Sequence, residues 1–147
     1  MVVGTYLGGI SPFTLASTTG VPSKAPGSPV DSNTQLYAFA VHASGDFLYA
    51  ADLRGDLRAY RVNRDNGSLT ALDGFPMKLD AHFVGAATDR QGRFLYVSDG
   101  ESGKLHVFKT SETTGALTSA ANSPFTLVAS PGGIAFNASG TIAYVSS

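Results

Sequence analysis

A chain of 147 residues and 15.2 kDa is the size of one ordinary domain, and 43% apolar content suffices for a sizeable core. Ten Lys and Arg against eleven Asp and Glu leave a net charge of −1 with 14% of residues charged, which excludes recruitment of nucleic acid or anionic lipid by a strong field. The absence of cysteine excludes disulfides, thiol nucleophiles and Cys-ligated zinc. No apolar run approaches the ~18 residues of a membrane span, and the Met1 segment lacks the basic start of a signal peptide. The chain is therefore expected to be soluble, without a membrane or nucleic-acid partner, and its compartment is not indicated.

Seventeen Gly and seven Pro are spread along the chain instead of pooling in a linker, and no segment of ten or more residues shows apolar spacing at 3.6. Short strands joined by turns are predicted throughout. Register with later copies places Met1–Thr5 inside a strand, and Thr19-Gly20-Val21-Pro22-Ser23 and Pro29 supply the first turn markers. From Leu36 the pattern is complete. It runs through an apolar strand, a tight turn at Gly45, the run Phe47–Ala51, a polar turn at Asp52–Asp56, the run Leu57–Val62, a turn at Asn66-Gly67 and the short strand Leu69–Leu72.

The same order then returns. Ala43-Ser44-Gly45-Asp46-Phe47-Leu48-Tyr49 recurs as Arg90-Gln91-Gly92-Arg93-Phe94-Leu95-Tyr96 and as Ala138-Ser139-Gly140-Thr141-Ile142-Ala143-Tyr144, at steps of 47 and 48. Asn66-Gly67-Ser68-Leu69-Thr70 matches Thr114-Gly115-Ala116-Leu117-Thr118, and Pro29, Pro76 and Pro124 form a third series. Runs such as Phe94-Leu95-Tyr96-Val97 are apolar at consecutive positions, as in strands whose sheet is covered on both faces. Four-stranded units of this length covered on both sides predict an all-β fold of β-propeller blades.

The string from Ser130-Pro131-Gly132-Gly133 to Tyr144-Val145-Ser146 resembles the inner two strands of the YVTN-type repeats of lactonase-like, 6-phosphogluconolactonase-like β-propellers. Lys104–Lys109, Thr114–Thr118 and Ser123-Pro124-Phe125 resemble the outer half of the same unit. The resemblance covers nearly the whole chain and implies blades; it implies activity less specifically, because the repeat serves both sugar-lactone hydrolases and binding proteins. Family enzymes usually carry seven blades, which at this period needs roughly twice this length.

Met1–Thr5 and Ala143–Ser147 occupy equivalent places in the repeat. The expected organisation is one propeller domain made of an outer half-blade with its connection over 1–35, blades over 36–82 and 83–130, and an inner half-blade over 131–147. Three blades are too few to close a ring. Two chains are therefore expected to join head to tail, each completing the other's half-blades, as a six-bladed homodimer; the alternative is closure by more of a longer parent chain.

Polar loop residues gather into two groups: Asp52, Arg54, Asp56, Asp99, Glu101 and Lys104 after the second strands, and Lys78, Asp80 and His82 between blades. A lactone hydrolase, as the resemblance implies, would use His82 as proton carrier, Asp80 or Glu101 as its partner and Arg54 as oxyanion donor. The lactone hydrolase is the alternative; repetition favours reading these as solvated loop residues and the chain as a non-catalytic, self-associating scaffold that presents a channel mouth to a small ligand or partner. His42, in register with Asp89 and Asn137, is expected to support its own turn, and His106 to be partly buried between blades. No two histidines have metal-pair spacing, Asp80, Asp99 and Glu101 could offer a metal only an oxygen set, and neither metal nor cofactor is expected.

Overall fold

The computed structural model describes residues 2–5, 8–127 and 130–147. Its strands form four antiparallel sheets in series. The first holds β1 (Val2–Thr5), β2 (Gly9–Leu15) and β3 (Pro22–Lys24). The second, the first full blade, holds β4 (Leu36–Val41), β5 (Phe47–Asp52), β6 (Asp56–Val62) and β7 (Leu69–Ala71), with β8 (Met77–Lys78) also on β6. The second full blade repeats this with β9 (Phe83–Thr88), β10 (Phe94–Asp99), β11 (Lys104–Thr110), β12 (Leu117–Ser119) and β13 (Phe125–Thr126). A hairpin of β14 (Ile134–Phe136) and β15 (Ala143–Val145) comes last. The fold is all-β; among the described residues there is no helix, and so none long and apolar enough to cross a membrane.

The blades differ from the four-strand expectation in one respect. The outermost strand is in two pieces: β7 covers Tyr60–Val62 of β6 while β8 covers Asp56 and Leu57 of the same edge, and β12 and β13 divide β11 alike. The first sheet shows the same split, since Val30 bridges Ile10 beyond β3. The connecting segment turns back at the marker prolines, each of which follows a cis peptide bond: Ser28-Pro29, Phe75-Pro76 and Ser123-Pro124. β1 pairs with β2 and β14 with β15, and no ladder joins β1 to the last hairpin among the described residues.

Every residue of β5 is buried, so the sheet is covered on both faces as the consecutive apolar run predicts. One face packs with the first sheet through Ile10, Leu36, Leu48, Ala50 and Tyr60. The other meets the next blade, where small Ala38, Ala40, Ala51 and Ala59 share a cluster with Phe83, Leu95, Val97 and Phe108. This large-into-small complementarity lets sheets approach without voids. The Tyr49 hydroxyl donates to the Gly115 carbonyl of the next blade at 3.1 Å, and burial pushes its pKa up to about 12.

His42 does more than support its own turn. Its Nδ1 accepts from the Ser44 backbone N–H at 3.1 Å, which leaves Nε2 to donate to the Gly92 carbonyl of the next blade at 2.6 Å. The two bonds fix the Nε2–H tautomer. Gly92 has φ +70°, and a Cβ there would lie 2.6 Å from His42 Nε2, so the position needs glycine on both counts. At the equivalent places Asp89 and Asn137 accept, among the described residues, from their own turns, at Arg93 and Phe94 and at Thr141 and Ile142 respectively. His42→Ala is expected to lower unfolding free energy by about 1–3 kcal/mol. His42→Asn, which keeps the turn acceptor but is too short to reach Gly92, should fall between the two in urea denaturation.

Candidate functional site

The inner strands carry a one-residue irregularity at a fixed place. In β4 the pairing with β5 steps from Leu36↔Asp52 to Ala38↔Ala51, leaving Tyr37 as the inserted residue. In β9 it steps from Phe83↔Asp99 to Gly85↔Ser98, leaving Val84. Gly132 holds the matching position before β14: its N–H donates to the Ser146 carbonyl at 2.7 Å, and the Ser146 N–H to the Gly133 carbonyl at 3.1 Å. A bulge re-aims the extra side chain. Here Tyr37, Val84 and Gly132 all line one cavity of about 620 Å³, together with His82, Gly100, Glu101 and Pro131. Gly85 permits the close approach of the strands, since a Cβ there would lie 2.2 Å from the Gly132 carbonyl oxygen, and Ser98 Oγ donates to that oxygen at 2.6 Å.

His82 and Glu101 also line an adjoining cavity of about 350 Å³, shared with Asp80, Asp99 and Lys104. Asp99 is the brace of this crevice. It is 2% exposed, and its Oδ1 accepts from the backbone N–H groups of His82 at 3.1 Å, Glu101 at 3.1 Å and Ser102 at 3.2 Å, while Oδ2 accepts from Ser102 Oγ. Burial pushes its pKa up, but the bonds from the Ser102 hydroxyl and from the His82, Ser102 and Glu101 backbones outweigh it and hold the carboxyl below its ordinary value. The carboxylate thus sets the positions of the His82 and Glu101 loops. No group of three or more His, Asp or Glu side chains gathers to hold a metal among the described residues.

Arg54 lies elsewhere. It lines a smaller cavity of about 140 Å³ with Gln35, Asp52, Asp56, Arg58 and Lys78, one blade back from His82. There the charges close on one another: Asp56 pairs with Lys78 at 2.8 Å and with Arg58 at 3.3 Å, and Arg58 stands 3.6 Å from Asp31. Asp52 plays the part of Asp99, accepting from the N–H groups of Arg54 at 2.9 Å and Asp56 at 2.8 Å. Of the four residues expected to form a site, the structure brings His82, Asp80 and Glu101 to one cavity and leaves Arg54 outside it. The cation in that cavity is Lys104, which opens β11 where Asp56 opens β6. The charge reversal is readable once the extra residue of the Asp99–Lys104 turn is aligned against Asp52–Asp56.

His106 is 8% exposed, with its ring edge-on to Phe83 at 5.3 Å. Burial lowers its pKa, against the neighbouring Asp99 charge that raises it and with the Lys104 charge that lowers it. It faces the interblade core and lines neither cavity.

Two full blades set between a three-stranded sheet and a hairpin, with polar loops at the inner strand ends, are the architecture of β-propeller blades. Residues 1–120 match the model of the family described as Lactonase, 7-bladed beta-propeller, and the chain belongs to that family. No curated protein sequence matches the chain. Among solved structures it is similar to a candidate 6-phosphogluconolactonase of Bacteroides fragilis, with TM-score 0.67, 18% identity, 90% of this chain and 37% of that one covered. It is also similar to a protein of Lactobacillus plantarum, with TM-score 0.73, 17% identity and 92% and 41% coverage. A candidate 6-phosphogluconolactonase of Bacteroides uniformis follows at TM-score 0.54, 15% identity and 98% and 60% coverage. The chain thus spans 37 to 60% of these structures, and at such identities the likeness shows the fold.

Because the Asp99 pKa is depressed in the folded state, its contribution to stability is present above the unfolded value of about 3.9 and is lost as pH falls through the folded value. Asp99→Asn is expected to be less stable at pH 7 and to flatten the loss of stability as pH falls below about 4. Urea midpoints measured across that range check this.

Proposed function

We propose that the chain contributes the catalytic crevice of a sugar-lactone hydrolase. The observation that carries this reading is that His82, Asp80, Glu101 and Lys104, none in an ion pair among the described residues, line one cavity, and that His82 and Glu101 also line a second of a size that suits a sugar ring. His82 takes a proton from water, with Asp80 or Glu101 stabilising the imidazolium. The water oxygen bonds to the lactone carbonyl carbon, and Lys104 offsets the charge that develops on the carbonyl oxygen. The bond from that carbon to the ring oxygen then breaks, and His82 returns the proton to the departing alkoxide, giving the open hydroxy acid. Membership in the lactonase family and the candidate 6-phosphogluconolactonases among similar folds support the same substrate class. The full chain is expected to hydrolyse an aldonolactone, followed by acid release at constant pH, and His82→Gln to lower kcat by about 10²–10⁴-fold. Enzyme-dependent turnover unchanged in His82→Gln, or none in the unaltered chain, would overturn the reading.

A second reading rests on the end sheets. Among the described residues the first sheet has no strand inside β1, and the last hairpin has none outside β15. Ile142 and Tyr144 are exposed beside the latter edge, at 51% and 61%. Either more of a longer chain or a second copy can cover such edges. In the latter case two copies complete one another's part-blades as a six-bladed ring, a self-associating scaffold in which the same cavities bind a small ligand. Light scattering is then expected to give twice 15.2 kDa, about 30 kDa, and a species of 15.2 kDa at working concentration removes this reading.

A further inference from the structure

Of the residues assigned to hydrolysis, His82 and Glu101 line the 620 Å³ cavity, and Tyr37 lines it from a different strand and blade. It is 61% exposed, while its neighbours Leu36 and Ala38 are each 5% exposed in opposite packing clusters. The bulge accounts for the difference: Leu36 and Ala38 supply the two faces of the sheet, and the inserted residue is released from both to point along the inner edge. Its register partners in the same cavity are Val84, an apolar surface, and Gly132, which has no side chain. Three equivalent positions thus give a large aromatic, a small aliphatic group and a gap. The Tyr37 hydroxyl has no hydrogen-bond partner among the described residues, so its polar group is left for whatever enters the cavity.

We propose that Tyr37 is a specificity-determining residue of this cavity, whose ring face stacks on the apolar C–H face of a six-membered sugar ring while His82 and Glu101 meet its polar side. The inference rests on the reading of the cavity as a sugar-lactone site and adds the residue that selects the ring. A sugar ring offers axial C–H groups on one face and hydroxyls at its rim; an aromatic face attracts the former, because its quadrupole and dispersion favour weakly positive C–H hydrogens. Val84 extends the apolar wall, and Gly132 leaves room for the rim substituents. Open-chain acids have no such face, so the ring form is bound in preference and the hydrolysed product is released.

The test uses the full chain and glucono-1,5-lactam, which keeps the ring and its planar carbonyl but resists hydrolysis. Its ring C–H protons should shift upfield on binding, the signature of a stacked aromatic, and Tyr37→Phe should keep both shift and affinity. Tyr37→Leu should abolish the shift and weaken binding roughly three- to tenfold, with an unchanged melting temperature because the side chain is mostly exposed. His82→Gln should leave the ring-current shift in place, which separates stacking from chemistry. Lactam binding with no upfield shift, or a shift that survives Tyr37→Leu, overturns the role of Tyr37 while His82-dependent turnover still upholds the hydrolase reading. Failure of the lactam to bind the unaltered chain overturns the stacking proposal, and loss of His82-dependent turnover overturns the hydrolase reading independently.

Discussion

The structure depends on one constraint: the first full blade is apolar on both faces and must be covered by a neighbour on each. A strand such as β5, with Phe47, Leu48, Tyr49, Ala50 and Ala51 all at 0% exposure, cannot belong to a sheet with a wet side. Burying one Phe or Tyr of this kind is worth about 3–5 kcal/mol against its truncation, comparable with a large share of a domain's net stability. Stacking of the blades is therefore the condition for each of them to persist. The polar links follow the stacking and set its register: Tyr49 to Gly115, His42 to Gly92 and Ser98 to Gly132 each cross from one sheet to the next.

Much of this architecture is legible in the sequence because it recurs. Gly45 and Gly92 head equivalent turns with φ near +80° and +70°, Pro29, Pro76 and Pro124 mark the return of the outer edge, and consecutive apolar runs announce two-sided burial. The split of the outer strand into β7 and β8 is not legible, since a two-residue strand such as Met77-Lys78 has no pattern of its own. Nor is the bulge at Tyr37. In the run Leu36-Tyr37-Ala38-Phe39-Ala40 every residue is apolar or aromatic, so a slip of one residue leaves no trace in the alternation that would report it.

The site is legible to a lesser degree, for a related reason. Sequence register places Arg54 and Glu101 at equivalent points of two turns, and so assigns both to the inner end of the blades. It does not say that successive turns serve successive crevices. Arg54 consequently falls with Asp56, Arg58 and Lys78, whereas Glu101 falls with His82. The cross-blade bond of His42 was hidden similarly, because its counterparts Asp89 and Asn137 are satisfied by their own turns and only the longer imidazole reaches Gly92.

A repeat scaffold offers the same crevice at every blade junction, and chemistry requires one of them to differ. The difference here is in where charge is spent. In the crevice of Arg54, Asp56 stands between Lys78 and Arg58, and Arg58 is near Asp31, so the charged groups neutralise one another and stabilise the junction. In the next crevice Lys104 replaces the central carboxylate, and His82 replaces Gln35. The internal pairing is thereby broken, and Asp80, Glu101, His82 and Lys104 are left to face the cavity. Asp99 still braces the loop as Asp52 does in its neighbour, so the change in charge is made without loosening the backbone that carries it. Groups held in place by a buried brace yet not satisfied by one another are what a preorganised polar site needs, because their hydrogen-bonding capacity remains for whatever enters.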